Sequence, residues 1–237
     1  MIQIYIWYVM AGEFARFMLP GHDAWLSQMW LAQLLTYFLS WMSLQPLLRR
    51  LPSQHLRKMI NGRVTGRHLA FGLALALLLG FLTAPVGRGH LLPSASTVLH
   101  GELRAVQHLA ASRSLGGVAG LFLLVGVVAP TFEELLFRGF LLIALRRSSS
   151  PIFLSSFLFG FFHCHPNSHS ALLGFRPLLP TAVLGAWFAY FAVKTGSLTT
   201  SILLHQFWNG GHVLLVAILT WMGTSPWLVD MAVSCYA

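Results

Sequence analysis

Long apolar runs separated by short charged stretches dominate the chain. Asp, Glu, Lys and Arg are absent from 24–48, 68–87, 114–132, 148–175 and 195–229. A helix needs about 20 apolar residues to cross a bilayer, and several of these runs are long enough. The pattern therefore predicts an all-α protein, a polytopic transmembrane helix bundle with six to eight spans.

The runs and the residues that interrupt them predict where the spans begin and end. Pro151 follows a serine-rich turn and suits the first turn of a helix, and Gly196 separates the last two spans. The first 19 residues contain Glu13 and Arg16, so this segment either lies in the interface or adds a further span. The six spans with clear ends are 24–48, 68–86, 116–145, 151–165, 181–193 and 198–221.

No internal repeat or low-complexity segment divides the chain, so we predict one integral membrane domain with three parts. Residues 1–114 form N-terminal transmembrane helices and loops, 115–222 form a helix core, and 223–237 form a short C-terminal tail.

The composition agrees with a membrane protein, and the positions of the basic residues predict the orientation of its spans. Only 9% of the residues are charged, against about 25% in soluble proteins. The net charge of +9 comes from bases between the spans, which predicts topology and no nucleic-acid partner. We expect a multi-pass protein of the lipid bilayer, which in a prokaryote is the plasma (inner) membrane. The densest basic cluster, predicted to be cytoplasmic, is Arg49, Arg50, Arg57, Lys58, Arg63 and Arg67.

Two of the six acidic residues, Glu133 and Glu134, are adjacent inside the predicted span 116–145. A charge at that depth costs about 2.5–3.5 kcal/mol, and such residues are functional candidates by default. Glu134 and Arg138 are four residues apart in the favoured order for an ion pair, which predicts a structural role. Glu133 points about 100° away and has no partner on its own helix. It must face a polar cavity, meet another helix or be protonated, and a sheltered carboxylate suits a general base.

Three further polar residues lie in apolar spans at a similar depth. His163 ends the stretch that begins at Phe159, while His205 and Asn209 are four apart and project from one helix face. At 1.5 Å per residue, Glu133, His163 and Asn209 lie about 17–18 Å from the presumed inner ends of their helices, and His205 lies about 11 Å from the inner end of its own. The sequence therefore predicts one site built from three helices.

These residues form three ordered motifs: EExxxRG at Glu133–Gly139, FxxxH at Phe159–His163 and HxxxN at His205–Asn209. The chain resembles the CAAX protease and bacteriocin-processing (CPBP, or ABI) family of intramembrane glutamic endopeptidases over about 115–222. The resemblance implies that the core is CPBP-like and catalytic. It further implies that Glu133 and His163 activate a water, that His205 and Asn209 bind the oxyanion, and that Glu134, Arg138 and Phe159 support the site. Its implied substrate is a membrane-associated, lipidated or C-terminally anchored protein or peptide, and it implies no cofactor.

Other interpretations stay open at this stage. Glu133, His163 and His205 could provide three ligands for zinc, although the HExxH signature is absent. Cys164 adjoins His163 and would be the nucleophile of a cysteine protease. Buried Glu and His residues also form proton relays, so a proton-coupled transporter is an alternative. A non-catalytic membrane scaffold or immunity factor is another.

Overall fold

The computed structural model describes residues 10, 11, 14, 18, 25–49, 62, 64–87, 101–164, 178–224 and 229. Throughout these residues the regular structure is helical, which confirms the all-α prediction. Seven helices have defined bounds: α1 (Trp25–Leu48), α2 (Gly66–Gly87), α3 (Gly101–Ala111), α4 (Leu115–Ala144), α5 (Pro151–Phe162), α6 (Leu178–Thr195) and α7 (Leu198–Trp221).

Each of the six spans with predicted ends corresponds to one of these helices. Within the described residues, α4, α6 and α7 are long and apolar enough to cross a membrane, and α5 is a shorter apolar helix. The count of six to eight spans and their orientation stay predictions. Most of the basic cluster, residues 88–100, the loop after α5 and most of both termini lie outside the described residues.

The chain divides into two compact units between residues 56 and 57. The first unit contains α1, whose Thr36 and Ser43 hydroxyls donate to carbonyls four residues earlier, at 2.7 and 2.8 Å. These bonds satisfy hydroxyl groups inside an apolar helix.

The second unit contains α2 to α7, and α7 packs against α2, α3, α4 and α6. This helix buries several polar residues together with apolar ones and exposes large apolar residues, unlike a helix on a soluble protein. Its exposed large residues include Phe207, Leu214, Leu215 and Ile218. Its buried polar residues are Thr200, Ser201, His205, Asn209 and His212. This inverted pattern suits a helix surrounded by lipid that directs its polar groups into a site.

The turn between α6 and α7 places these two helices side by side. Gly196 has a φ of +62°, which glycine adopts without strain, and it ends α6 as the sequence predicts. Ser197 then caps α7, because its hydroxyl accepts a hydrogen bond from the Thr200 N–H at 3.3 Å.

Helix α4 differs from the regular helix that the sequence predicts. Two of its stretches, Phe122–Val128 and Leu135–Leu141, are π-helical, with the α-helical stretch Ala129–Glu134 between them. π-helical turns are rare and occur often at functional sites. Both adjacent glutamates therefore lie on a short α-helical stretch between two wider turns.

Candidate active site

Glu134 lies at the centre of a buried polar cluster. Its side chain is fully buried, and its Oε1 accepts a hydrogen bond from Arg138 Nη1 at 2.9 Å. The ion pair expected from the four-residue spacing is therefore formed.

Arg138 is also fully buried and reaches a second helix. Its Nη2 donates to the Gly185 carbonyl of α6 at 2.7 Å, and its guanidinium carbon lies 4.5 Å from the centre of the Phe159 ring. A Cβ atom at residue 185 would lie 2.8 Å from Phe159 and 3.1 Å from Arg138 Nη2. Sequence reasoning missed Gly185, which leaves room for both side chains.

Ser201 also contacts Glu134. Its hydroxyl lies 2.5 Å from Glu134 Oε2 and is buried on α7. Sequence reasoning missed this residue too, although a signal existed. Ser201 precedes His205 by four residues, as His205 precedes Asn209, so all three share one face of α7.

Replacing Ser201 with alanine is expected to lower the free energy of unfolding by about 1.5–3 kcal/mol, because a hydrogen bond to a buried charged group is lost. Thermal unfolding in detergent measures the change. Ser156 is the matched control, since it is buried and its hydroxyl has no hydrogen-bond partner among the described residues. Equal losses in Ser201→Ala and Ser156→Ala would contradict this prediction.

His205 connects the two glutamates. Its Nδ1 lies 2.9 Å from Glu134 Oε1, and its Nε2 lies 3.7 Å from Glu133 Oε2. The second distance is an ion-pair distance and is longer than a hydrogen bond. The His205 ring also stacks on Phe188 with their centres 4.6 Å apart. Of the three environments expected for Glu133, the structure therefore shows contact with another helix.

The two glutamates differ in exposure. The Glu133 side chain keeps 22% of its surface accessible, while Glu134 has none. Glu133 therefore lies at the edge of the cluster, whereas Glu134 is enclosed by its partners.

His163 follows the last residue of α5 and so lies at the helix end, where the sequence had placed it inside a span ending near 165. Its Nδ1 lies 2.8 Å from the Phe159 carbonyl oxygen, which can only accept, so Nδ1 carries the hydrogen. The Phe159 ring centre lies 4.6 Å from the centre of the His163 ring and 5.8 Å from that of His205. Phe159 therefore packs against both histidines.

Asn209 lies one turn beyond His205 and faces α4. Its Nδ2 donates to the Val125 carbonyl at 3.2 Å. Gln206, which sequence reasoning missed, donates to the Val127 carbonyl at 3.3 Å and to the Thr131 hydroxyl at 3.0 Å. Two side-chain amides of α7 therefore contact carbonyls of the first π-helical stretch of α4.

Other candidate groups are arranged differently. Cys164 is buried, and its sulfur donates to the Gly160 carbonyl at 3.5 Å. In the part of the chain that the structure describes, no group of three or more His, Cys, Asp and Glu side chains is arranged to hold a metal ion.

Comparison with known proteins agrees with the motifs. Residues 116–211 match the family model described as type II CAAX prenyl endopeptidase Rce1-like. The chain is also similar to the uncharacterized protein YyaK of Bacillus subtilis (strain 168), with 30% identity over 152 residues. This alignment covers 61% of the chain and 46% of the relative, so the chain spans about half of the relative's length. No solved structure matches the chain.

The resemblance to the CPBP family is thereby confirmed for residues 116–211. The three long apolar helices agree with the prediction of a membrane protein.

Proposed function

We propose that this protein is a multi-pass intramembrane endopeptidase of the CPBP type in the plasma membrane. Glu133 and His163 activate a water molecule, and His205 and Asn209 stabilise the oxyanion. The observation that supports this most directly is the contact of His205 on α7 with both glutamates of α4 in an otherwise apolar bundle. Placing polar groups in an apolar bundle costs free energy unless they bond to one another or take part in a reaction.

The proposed reaction is hydrolysis of a peptide bond. Water loses a proton to Glu133 as its oxygen bonds to the carbonyl carbon, and the carbonyl oxygen becomes an oxyanion. Glu133 then returns the proton to the leaving nitrogen as the C–N bond breaks, which yields a carboxylic acid and an amine. The accessible Glu133 suits this exchange with water, while the enclosed Glu134 suits a structural charge.

The hydrogen-bond partners of His163 and His205 indicate different catalytic roles. His163 donates from Nδ1 to a carbonyl, so its neutral ring accepts a proton at Nε2. His205 Nδ1 faces a carboxylate oxygen and donates to it. Its Nε2 faces Glu133, 3.7 Å from Oε2.

The proposed substrate is a membrane-associated or C-terminally anchored protein or peptide, and the proposed reaction uses no metal or cofactor. Because the matching family model is described as a CAAX prenyl endopeptidase, the first test uses prenylated CAAX peptides. Purified protein in lipid vesicles is mixed with an internally quenched CAAX peptide, with and without a farnesyl group on its cysteine. We expect cleavage, detected by fluorescence and located by mass spectrometry, that does not change on addition of a chelator.

The same preparation distinguishes the alternatives. Loss of cleavage with a chelator and recovery with zinc would assign a zinc enzyme. Proton flux that depends on Glu133, without cleavage, would assign a transporter. If Glu133→Ala fully complemented a deletion strain, the scaffold or immunity role would be supported over catalysis.

A further inference from the structure

At the end of the first π-helical stretch of α4, one backbone hydrogen bond of the helix is missing. The N–H of Ala129 donates to the Leu124 carbonyl, five residues earlier. The next bond of that pattern would join residue 130 to the Val125 carbonyl. Residue 130 is proline, which has no N–H, so the Val125 carbonyl lacks this helical donor. In a bilayer such a carbonyl needs another partner.

That partner is the side chain of Asn209. Its Nδ2 donates to the Val125 carbonyl at 3.2 Å, and both residues are buried. The amide of α7 therefore takes the place of the backbone N–H that Pro130 removes from α4.

The backbones of the two helices approach closely at this point. A Cβ atom on Gly126 would lie only 2.9 Å from the Gly210 Cα. Gly126 adjoins Val125, and Gly210 adjoins Asn209. The two glycines thus allow a short side chain on one helix to reach a carbonyl of the other.

We propose that Pro130 is a positioning residue, which acts by leaving the Val125 carbonyl open to hold the amide of Asn209. An asparagine amide has two hydrogens. When one of them bonds to the Val125 carbonyl, rotation of the planar Asn209 amide is restricted, and the second N–H points in a fixed direction. The inference rests on the proposed function, in which Asn209 donates to the oxyanion. Donors held in place before the reaction stabilise such charge most effectively.

The first test does not depend on activity. The chain contains three asparagines, Asn61, Asn167 and Asn209. Protein labelled with ¹⁵N-asparagine therefore gives signals from three side-chain NH₂ groups, and Asn209→Asp identifies the signal of interest. In Pro130→Ala, the new N–H competes for the Val125 carbonyl. We expect the Asn209 signal to shift and its hydrogens to exchange about fivefold faster, as for loss of one ordinary hydrogen bond.

Pro46→Ala is the matched control, because Pro46 also interrupts a helix interior and is exposed. It should leave the Asn209 signal unchanged. If Pro130→Ala does not fold, Gly126→Ala tests the same contact by separating the two backbones, and the same shift is expected. An unchanged Asn209 signal in a folded Pro130→Ala or Gly126→Ala protein would overturn the proposal.

The second test uses cleavage of the farnesylated peptide. Pro130→Ala should lower kcat about five- to tenfold and leave KM unchanged, since only an interaction of the transition state is weakened. In an Asn209→Ala background, Pro130→Ala should have no further effect. An equal loss of kcat in both backgrounds would overturn the positioning role. Full activity of Asn209→Ala alone would instead contradict the oxyanion role of Asn209 in the proposed function. The Asn209 amide signal would still test its hydrogen bond to the Val125 carbonyl.

Discussion

Glu133→Gln is expected to lower kcat for peptide cleavage by about 10²–10⁴-fold, the usual contribution of a general base. Glutamine has nearly the same shape as glutamate but cannot take a proton from water. The Glu133 side chain keeps 22% of its surface accessible, whereas Glu134 is fully enclosed, and we expect the loss in the chemical step. Rates measured in vesicles at saturating farnesylated peptide report this step.

The control for this variant is Glu102→Gln, which removes another of the six acidic residues, on α3. It should retain wild-type kcat, and both variants should unfold at the wild-type temperature. Wild-type kcat in a folded Glu133→Gln protein would contradict the proposed mechanism. A loss of the same size in Glu102→Gln would show that the effect is not specific to the site.

Arg138→Met is expected to lower the free energy of unfolding by about 3–5 kcal/mol, because it leaves the charge of Glu134 buried without its main partner. The variant also removes the hydrogen bond to the Gly185 carbonyl and the contact with the Phe159 ring. Reversible unfolding in mixed micelles, followed by tryptophan fluorescence, gives the free energy.

A double variant separates the charge from the packing. Glu134→Gln together with Arg138→Met removes both charges, so its loss should be smaller than the sum of the two single losses. Arg146→Gln is the control, since Arg146 lies just beyond α4 and is exposed. It should change stability by no more than about 0.5 kcal/mol. Simple additivity in the double variant would contradict a buried ion pair.

The contacts of Glu134 show which interactions can be predicted from the sequence and which cannot. Its pairing with Arg138 follows from helix geometry alone, because residues four apart share a face. Its contact with His205 joins residues 71 positions apart. For that contact the sequence indicates only a similar depth on different helices, and the rotation of α7 against α4 decides whether the side chains meet.

Three further contacts depend on packing between helices in the same way. The Ser201 hydroxyl, the Gly185 carbonyl and the Val125 carbonyl join the site through packing between helices. Two of these contacts use backbone oxygens, which every residue type supplies and which leave no pattern in the sequence. The π-helical turns of α4 could not be predicted from the sequence either, because they change the register of the helix without changing its apolar character.

The sequence by itself determined the helical membrane class, the local ion pair of Glu134 with Arg138 and the three family motifs. Each depends on composition or on residues within one helical turn, so no knowledge of packing was needed. Only the tertiary structure decided which glutamate is fully enclosed and which keeps an accessible surface, and which carbonyl holds Asn209. These depend on how closely α7 packs against α4, and on the carbonyl that Pro130 leaves open between them.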